Sequence, residues 1–462
     1  MPLQEAPYLP PDRLNALATG IPLPSTTHGS ALFADISGFT PITEKLRQTL
    51  GARRGAETLA AHLNRVYDAL IRQVERYDGS IISFAGDAIT CWFSGEDSPF
   101  RATACAFALL DAMQTVEKIT LPDKQTQVIG LKVSIAGGAV HRLVVGDPEI
   151  QQIDTLAGAT IERMAAGEHV AKQSEVVVDT LTIERLGAIA SVREWRENNG
   201  ERFAVLERVI PVAVDIQPKQ TTVEEIELRS WLLPAIVSHF QTGLGEYLTE
   251  LRPAVALFIS FTGINYDHDP EAQAKLDQFV QLVQKIVTHY EGNVLQLTIG
   301  DKGSYMYTAF GAPFAHEDDV HRALDAALNL QKDAASLDYV EQIRIGISRG
   351  IMRTGAYGSE TRRTYGVLGD EVNLAARLMT QAAPGEILLS ETLLGAKLDG
   401  YRMEALPRLS VKGKANPIGL YRLLERREQT FPQRFYTTPL VGRDRELSAV
   451  RAAIQPIFDG RH

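Results

Sequence analysis

The chain has 462 residues, 45% apolar and 23% charged, with a net charge of −10. This is the balance of a globular protein of two or three domains, and its acidic surplus argues against a nucleic-acid partner, because neutralising phosphates takes basic stripes. Two cysteines, Cys91 and Cys105, imply no disulfide framework, the N-terminus lacks the apolar core of a signal peptide, and no apolar run reaches the ~20 residues of a membrane span, so a cytoplasmic protein without a membrane span is expected. Residues 1–27 are rich in Pro and read as an arm. Residues 30–34 are apolar and end in Asp35, the pattern of a buried strand with a carboxylate at its exit. A short helix and then a longer one should follow, the latter from about residue 55, with Leu59, Leu63, Val66, Leu70 and Val74 on one stripe. Residues 80–84 and 88–93 form a hairpin around Ala85-Gly86-Asp87, followed by a helix over 102–116 and a strand over 130–136.

The same order then recurs. Residues 255–261 read as a strand and 271–290 as a helix with Leu276, Phe279, Val280, Val283, Ile286 and Val287 on one face. Residues 294–299 and 304–310 make a hairpin around Gly300-Asp301-Lys302-Gly303, and a helix (319–335) and a strand (342–348) follow. Residues 209–250 hold the polar run QPKQTT and are expected to link the copies, whereas 426–462 look like the opening of another domain. ALFADISGFT at Asp35 matches ALFISFTGIN, where Ser260 stands in place of Asp35. GATIERMAA, with Glu162 and Ala166, matches GDEVNLAAR, with Asn373 and Arg377. Complementary loss of acidic and basic positions implies one composite site between two α/β halves.

Asp35 and Asp87 are hard oxygen ligands suited to Mg²⁺ or Mn²⁺ carrying substrate phosphates, or else a helix-capping and a turn aspartate. Ser37, Gly38, Phe39 and Thr40 open a helix whose free N–H groups could take phosphate oxygens. Asn373 and Arg377 share a helix face, which a merely solvated surface would also explain. Lys132, Lys412 and Lys414 are candidate phosphate contacts, and Lys302 is either an exposed turn lysine or a donor to a purine ring nitrogen. P-loop, Rossmann, HExxH and GxSxG patterns are absent.

At FADISGFT, FAGDA, GDKGS and YGVLGDEVNLAARLM the chain resembles the class III nucleotidyl cyclases, and most of all the tandem catalytic region of soluble, bicarbonate-responsive adenylyl cyclases. The resemblance implies two ferredoxin-like α/β (α+β) domains, over 28–208 and 251–425, packed as a pseudo-twofold pair within one monomeric chain. It implies two metal ions on Asp35, Asp87 and the Ile36 carbonyl, and a phosphate cradle at the backbone of Gly38, Phe39 and Thr40. Lys302 and the backbone at Val367 would read the purine, Asn373 would orient the ribose and Arg377 would face the α-phosphate. The implied reaction is ATP to 3′,5′-cyclic AMP and pyrophosphate, with a small regulatory ligand at the degenerate second site. The alternatives are a guanylyl cyclase and a non-catalytic nucleotide-binding tandem. The chain departs from the family at Gly366, where a base-reading Asp or Thr is usual and for which Thr364 could substitute. It departs again at Ser260 and Ser304 in the second copy's metal positions, and near Ser83, where the bicarbonate-binding lysine is missing and Arg163 is the nearest arginine.

Overall fold

The computed structural model describes residues 5–120, 125–209, 228–241, 250–300, 303–410 and 417–427, with residues 445, 448 and 449. Lys302, Lys412, Lys414, the polar run between the copies and most of the terminal segment lie outside these residues. The first module comprises α1 (Pro11–Thr19), β1 (Thr26–Ser37), α2 (Phe39–Arg76), β2 (Ser80–Ala85), β3 (Ala88–Ser94), α3 (Ser98–Val116), β4 (Lys118–Thr120), β5 (Thr126–Val128), β6 (Gly130–Val145), β7 (Ile153–Ala157), α4 (Ala159–Val170), β8 (Val176–Asp179), α5 (Thr180–Leu186), β9 (Ala190–Asn198) and β10 (Glu201–Val209). After α6 (Pro234–Gln241), the second comprises β11 (Glu250–Thr262), α7 (Ala272–His289), β12 (Asn293–Gly300), β13 (Gly303–Phe310), α8 (Asp319–Ala334), β14 (Gln342–Gly358), β15 (Arg363–Leu368), α9 (Asp370–Gln381), β16 (Ile387–Ser390), β17 (Tyr401–Leu409) and β18 (Ile418–Arg426).

The two sheets have equivalent orders, β2-β3-β1-β6-β8-β10-β9 and β12-β13-β11-β14-β16-β18-β17, with β7 added to β6 and β15 to β14. The four strands β2-β3-β1-β6 with α2 and α3 make the expected ferredoxin-like unit, and β12-β13-β11-β14 with α7 and α8 repeat it. Each helix pair covers one face of its sheet through the anticipated stripes: Leu63, Val66, Leu70 and Val74 in α2, and Leu276, Phe279, Val280, Val283 and Val287 in α7, are buried, with Leu59 and Ile286 half-buried against the same cores. The short and long helices expected after Asp35 run on as α2, with non-helical backbone at Gly51 (φ 79°, ψ 168°), where glycine tolerates the left-handed φ.

The arm is more ordered than expected. Pro11 opens helix α1, where its missing N–H costs nothing. Asp12 and Arg13 then join a buried ionic cluster with Arg142 and Asp154.

The larger difference lies in β6 and β14, which continue well past their expected ends at residues 136 and 348 and turn back as β7 and β15. These two hairpins are exchanged between the modules. Leu143, Val145 and Ala157 of the first hairpin enter the core of the second module, whereas Tyr357 and Leu368 of the second enter the core of the first. At the first crossing Gly146 N donates to Asp277 Oδ1 (2.7 Å), Asp147 N to Gln284 Oε1 (2.8 Å) and Gln284 Nε2 to the Gln151 carbonyl (2.7 Å). Gly146 has φ 104°, and a Cβ there would stand 2.5 Å from the Gln151 oxygen, so only glycine fits.

Candidate active site

Asp35 lies on β1 opposite Ala88 of β3, and Ile36 N donates to the Asp87 carbonyl at 3.1 Å. The strand exit and the hairpin turn are thus joined, and both acids stand at one sheet edge. On the other side of β1, Lys132 of β6 pairs with Asp35 in register, its Nζ 3.2 Å from Asp35 Oδ2 and also bonded to Glu168. Burial, then repulsion from Asp35, pushes the Asp87 carboxyl up to about 7. Burial also raises Asp35, opposed by Lys132 and reinforced by Glu168. Two dehydrated acids that share a lysine with a third are short of positive charge. The donor set fits a hard divalent cation: two carboxylates and the Ile36 carbonyl, all oxygen. Among the described residues no cluster of three or more His, Cys, Asp or Glu side chains forms a self-sufficient metal cage. An ion here would take further oxygens from a bound phosphate, as Mg²⁺ commonly does.

The acid-bearing turn is held from behind. Gly86 has φ 65°, and its carbonyl accepts the Tyr67 hydroxyl of α2 at 2.6 Å. The Tyr67 ring meets Phe84 at 5.5 Å and Tyr357, from the exchanged hairpin, at 5.6 Å. Phe84 and Tyr357 complete the triangle at 5.7 Å. Neither tyrosine stands out in sequence, since Tyr67 lies within an apolar helical stripe and Tyr357 in a strand extension hidden by glycines.

Beyond Asp35, Ser37 ends β1 and Gly38 turns with φ 100° into α2, whose backbone begins at Phe39 and Thr40. Gly38 brings no capping side chain, so the first-turn N–H groups are placed as an anion cradle would require.

Asn373 and Arg377 lie one turn apart on α9, Asn373 exposed and Arg377 half-buried, while Val372, Leu374, Ala375 and Leu378 anchor the opposite face. The acids and this pair stand on opposite modules, and the Asn373 amide makes no hydrogen bond to either acid among the described residues. Val367 is buried on β15, its carbonyl fixed by the Tyr307 hydroxyl at 3.1 Å. Gly366 lies opposite Gly355, and a Cβ there would meet the Tyr357 ring at 2.6 Å. The absence of a side chain at 366 therefore accompanies a tyrosine that fills the space. The Thr364 hydroxyl donates to the adjacent Tyr365 carbonyl at 3.4 Å.

The pseudo-symmetric cleft is built differently. Ser260 opposes Tyr305 as Asp35 opposes Ala88, which places Ser304 in the position of Asp87. Ser304 is buried and shares a 2.8 Å hydrogen bond with Tyr266. Arg344 opposes Ser260 as Lys132 opposes Asp35. A mainly apolar cavity of about 420 Å³ opens here between Ile161 and Met164 of α4 and Leu297, Ser304 and Arg344, with Ser83 on its wall. Arg163 turns elsewhere, to Asp179 at 2.9 Å and the Gly137 carbonyl at 2.8 Å. At the N-terminus of α4, Ala159 N donates to Asp267 Oδ2 at 2.7 Å, so a side-chain carboxylate already takes the helix-end position that suits an anion.

A family model described as the adenylate and guanylate cyclase catalytic domain matches residues 22–201 and 256–425. "Adenylate cyclase type 10" of Homo sapiens is 25% identical over 463 residues, covering 91% of this chain and 28% of that protein. "Adenylate cyclase 1" of Rhizobium meliloti is 21% identical over 310 residues, covering 62% of this chain and 45% of that protein. The chain thus spans little more than a quarter of the type 10 relatives it matches. Among solved structures, a class III adenylyl cyclase-like ATP-binding protein from Pseudomonas aeruginosa superposes with a TM-score of 0.54 at 14% identity, covering 80% of this chain and 85% of that one, which shows the tandem fold. No helix among the described residues is long and apolar enough to cross a membrane.

Proposed function

Because the chain belongs to the adenylate and guanylate cyclase catalytic domain family, whose members generally use divalent metals, we propose that it is an adenylyl cyclase with a single active site between its modules. The substrate is ATP and the products are 3′,5′-cyclic AMP and pyrophosphate. One observation carries the reading: of two pseudo-symmetric edges, the first keeps both acids, Asp35 and Asp87, while the second has Ser260 and Ser304 in register. The adenylate cyclase type 10 relatives, matched along both modules, favour ATP over GTP.

In this reading Asp35, Asp87 and the Ile36 carbonyl would hold two divalent ions, Mg²⁺ or Mn²⁺, which when bound would lower the pKa of the ribose 3′-hydroxyl and shield the triphosphate. The N–H groups around Ser37, Gly38, Phe39 and Thr40 cradle phosphate oxygens, and Lys132 and Lys412 add positive charge. Lys302 and the backbone at Val367 read the purine. Asn373 orients the ribose so that the 3′-oxygen approaches the α-phosphorus in line, and Arg377 stabilises the charge developing there. The 3′-hydroxyl proton passes to solvent, the bond from the α-phosphorus to the bridging oxygen breaks as the 3′-oxygen bond forms, and pyrophosphate leaves. The second cleft, without its acids and with a mostly apolar cavity, takes a small regulatory ligand. The catalytic pair is completed within one chain, as a monomer in the cytoplasm.

The test is cyclic nucleotide production by purified chain with Mn²⁺ and ATP or GTP in competition. Cyclic AMP that disappears in Asp35→Ala and in Arg377→Ala is the expected result. Nucleotide binding without turnover would instead leave a binding tandem.

A further inference from the structure

Arg362 sits just before β15, in the loop that ends the exchanged hairpin of the second module, yet it is only 3% exposed. Its guanidinium is surrounded by backbone carbonyls. Nε donates to Ile81 at 2.9 Å and Nη2 to Ile82 at 3.1 Å, both on β2 of the first module. Nη1 donates to Tyr8 at 2.9 Å, Pro7 at 3.3 Å and its own neighbour Arg363 at 2.8 Å. Its Cζ lies over the Phe84 ring, 5.2 Å from the centroid. Asp12 and Asp154 offset its charge from a distance.

The two β2 carbonyls are not ordinary ladder groups. Ile81 pairs with Cys91 but Ser83 with Thr90, so the β2–β3 register slips between them and Ile82 is the extra residue of a β-bulge. A bulge leaves backbone groups unpaired and re-aims the strand beyond it. That strand runs through Phe84 and Ala85 into the turn that carries Asp87. A side chain from the second module thus fixes the bend that directs an acid of the first.

We propose that Arg362 is a positioning residue for the Asp87 turn: by satisfying the bulged carbonyls of β2 it sets where that carboxylate stands relative to Asp35, so metal-holding geometry depends on docking of the second module's hairpin. The inference rests on reading Asp35 and Asp87 as the metal-holding pair. Planarity and a five-donor fork suit this task, and a lysine, with one compact ammonium, cannot span both β2 carbonyls and the arm.

The experiment is Mn²⁺ binding to the full chain, followed by electron paramagnetic resonance with a non-hydrolysable ATP analogue, for wild type, Arg362→Lys, Arg362→Gln and, as reference, Asp87→Asn. In variants that keep the wild-type circular dichroism, Mn²⁺ affinity is expected to fall about 10–100-fold, the usual scale for removing a group that orients a ligand. The metal concentration for half-maximal turnover should rise in parallel, while KM for ATP at saturating metal stays within about 2-fold. Unchanged Mn²⁺ affinity in a folded Arg362 variant, with Asp87→Asn weakened, overturns the positioning role alone. Unchanged affinity in Asp87→Asn as well overturns the metal reading and this inference with it. Failure of both Arg362 variants to fold makes the residue a stability element and likewise overturns the proposal.

Discussion

Lys132 Nζ stands 3.2 Å from Asp35 Oδ2, and the same ammonium bonds Glu168 of α4. It is a counter-charge at the edge where a cation is proposed to bind, and its flexible stem lets it follow incoming phosphate oxygens. Lys132→Met is therefore expected to lower kcat/KM for ATP by about 10²-fold, the scale of one oriented cation, as read by steady-state kinetics. An unchanged value would remove the lysine from the phosphate site.

The Asp87 carboxyl, raised to about 7, makes stability depend on pH. In the folded chain it holds its proton up to about neutrality, whereas in the unfolded chain it ionises near pH ~4. The folded state binds more protons across that window, so this group's contribution is fully present at low pH and is lost as pH rises from about 4 through about 7. Without divalent cations, thermal unfolding midpoints should decline over that range by more in wild type than in Asp87→Asn. Added Mn²⁺ should counter the decline, because it stabilises the ionised form.

Gly366→Asp restores the usual family residue but should not improve base selection. The new Cβ would stand 2.6 Å from the Tyr357 ring, which is packed against Tyr67 and Phe84. Overpacking of this kind typically costs about 1–3 kcal/mol. The expected outcome is a lower unfolding midpoint and reduced turnover. A stable, fully active single variant would show that Tyr357 moves freely.

Tyr67→Phe deletes the hydroxyl bonded to the Gly86 carbonyl and leaves the ring in place. Stability should fall by about 1 kcal/mol. Turnover should fall further than nucleotide affinity, because the loosened turn carries Asp87. Equal losses in kcat and affinity would argue against that link.

Ser260→Asp returns one acid to the second edge. No second site is expected, because Ser304 stays neutral and the matching helix carries Glu162 and Ala166 where Asn373 and Arg377 stand on α9. Equilibrium dialysis should still show one turned-over nucleotide per chain.

Much of the fold was legible because its helices and central strands obey simple periodicities: Leu63 to Val74 and Leu276 to Val283 fall on single stripes, and both inner hairpins turn at glycine-rich links. The acids could be found from their places at a strand exit and a turn. The exchanged hairpins could not. Gly137 and Gly138 interrupt the alternation in β6, and Arg349 and Gly350 do so in β14, so the pattern ends each strand halfway. With the extensions went Tyr357 and Arg362, whose roles depend on contacts across nearly 300 positions of chain, as with Gly358 and Asn64 (|i−j| = 294). Local pattern carries no information about such pairings.

The swap of hairpins also shapes how the gene product would tolerate damage. Leu143 and Val145 complete an interior that belongs mostly to the far half of the polypeptide, and Tyr357 does the reverse. Splitting the coding region between the repeats would yield two fragments, each missing part of its own interior and each displaying a greasy finger that has lost its glove. Co-expression rather than separate production would be the route to soluble halves, and inactivating substitutions mapped along the gene would fall in both repeats even where only one bears the acids.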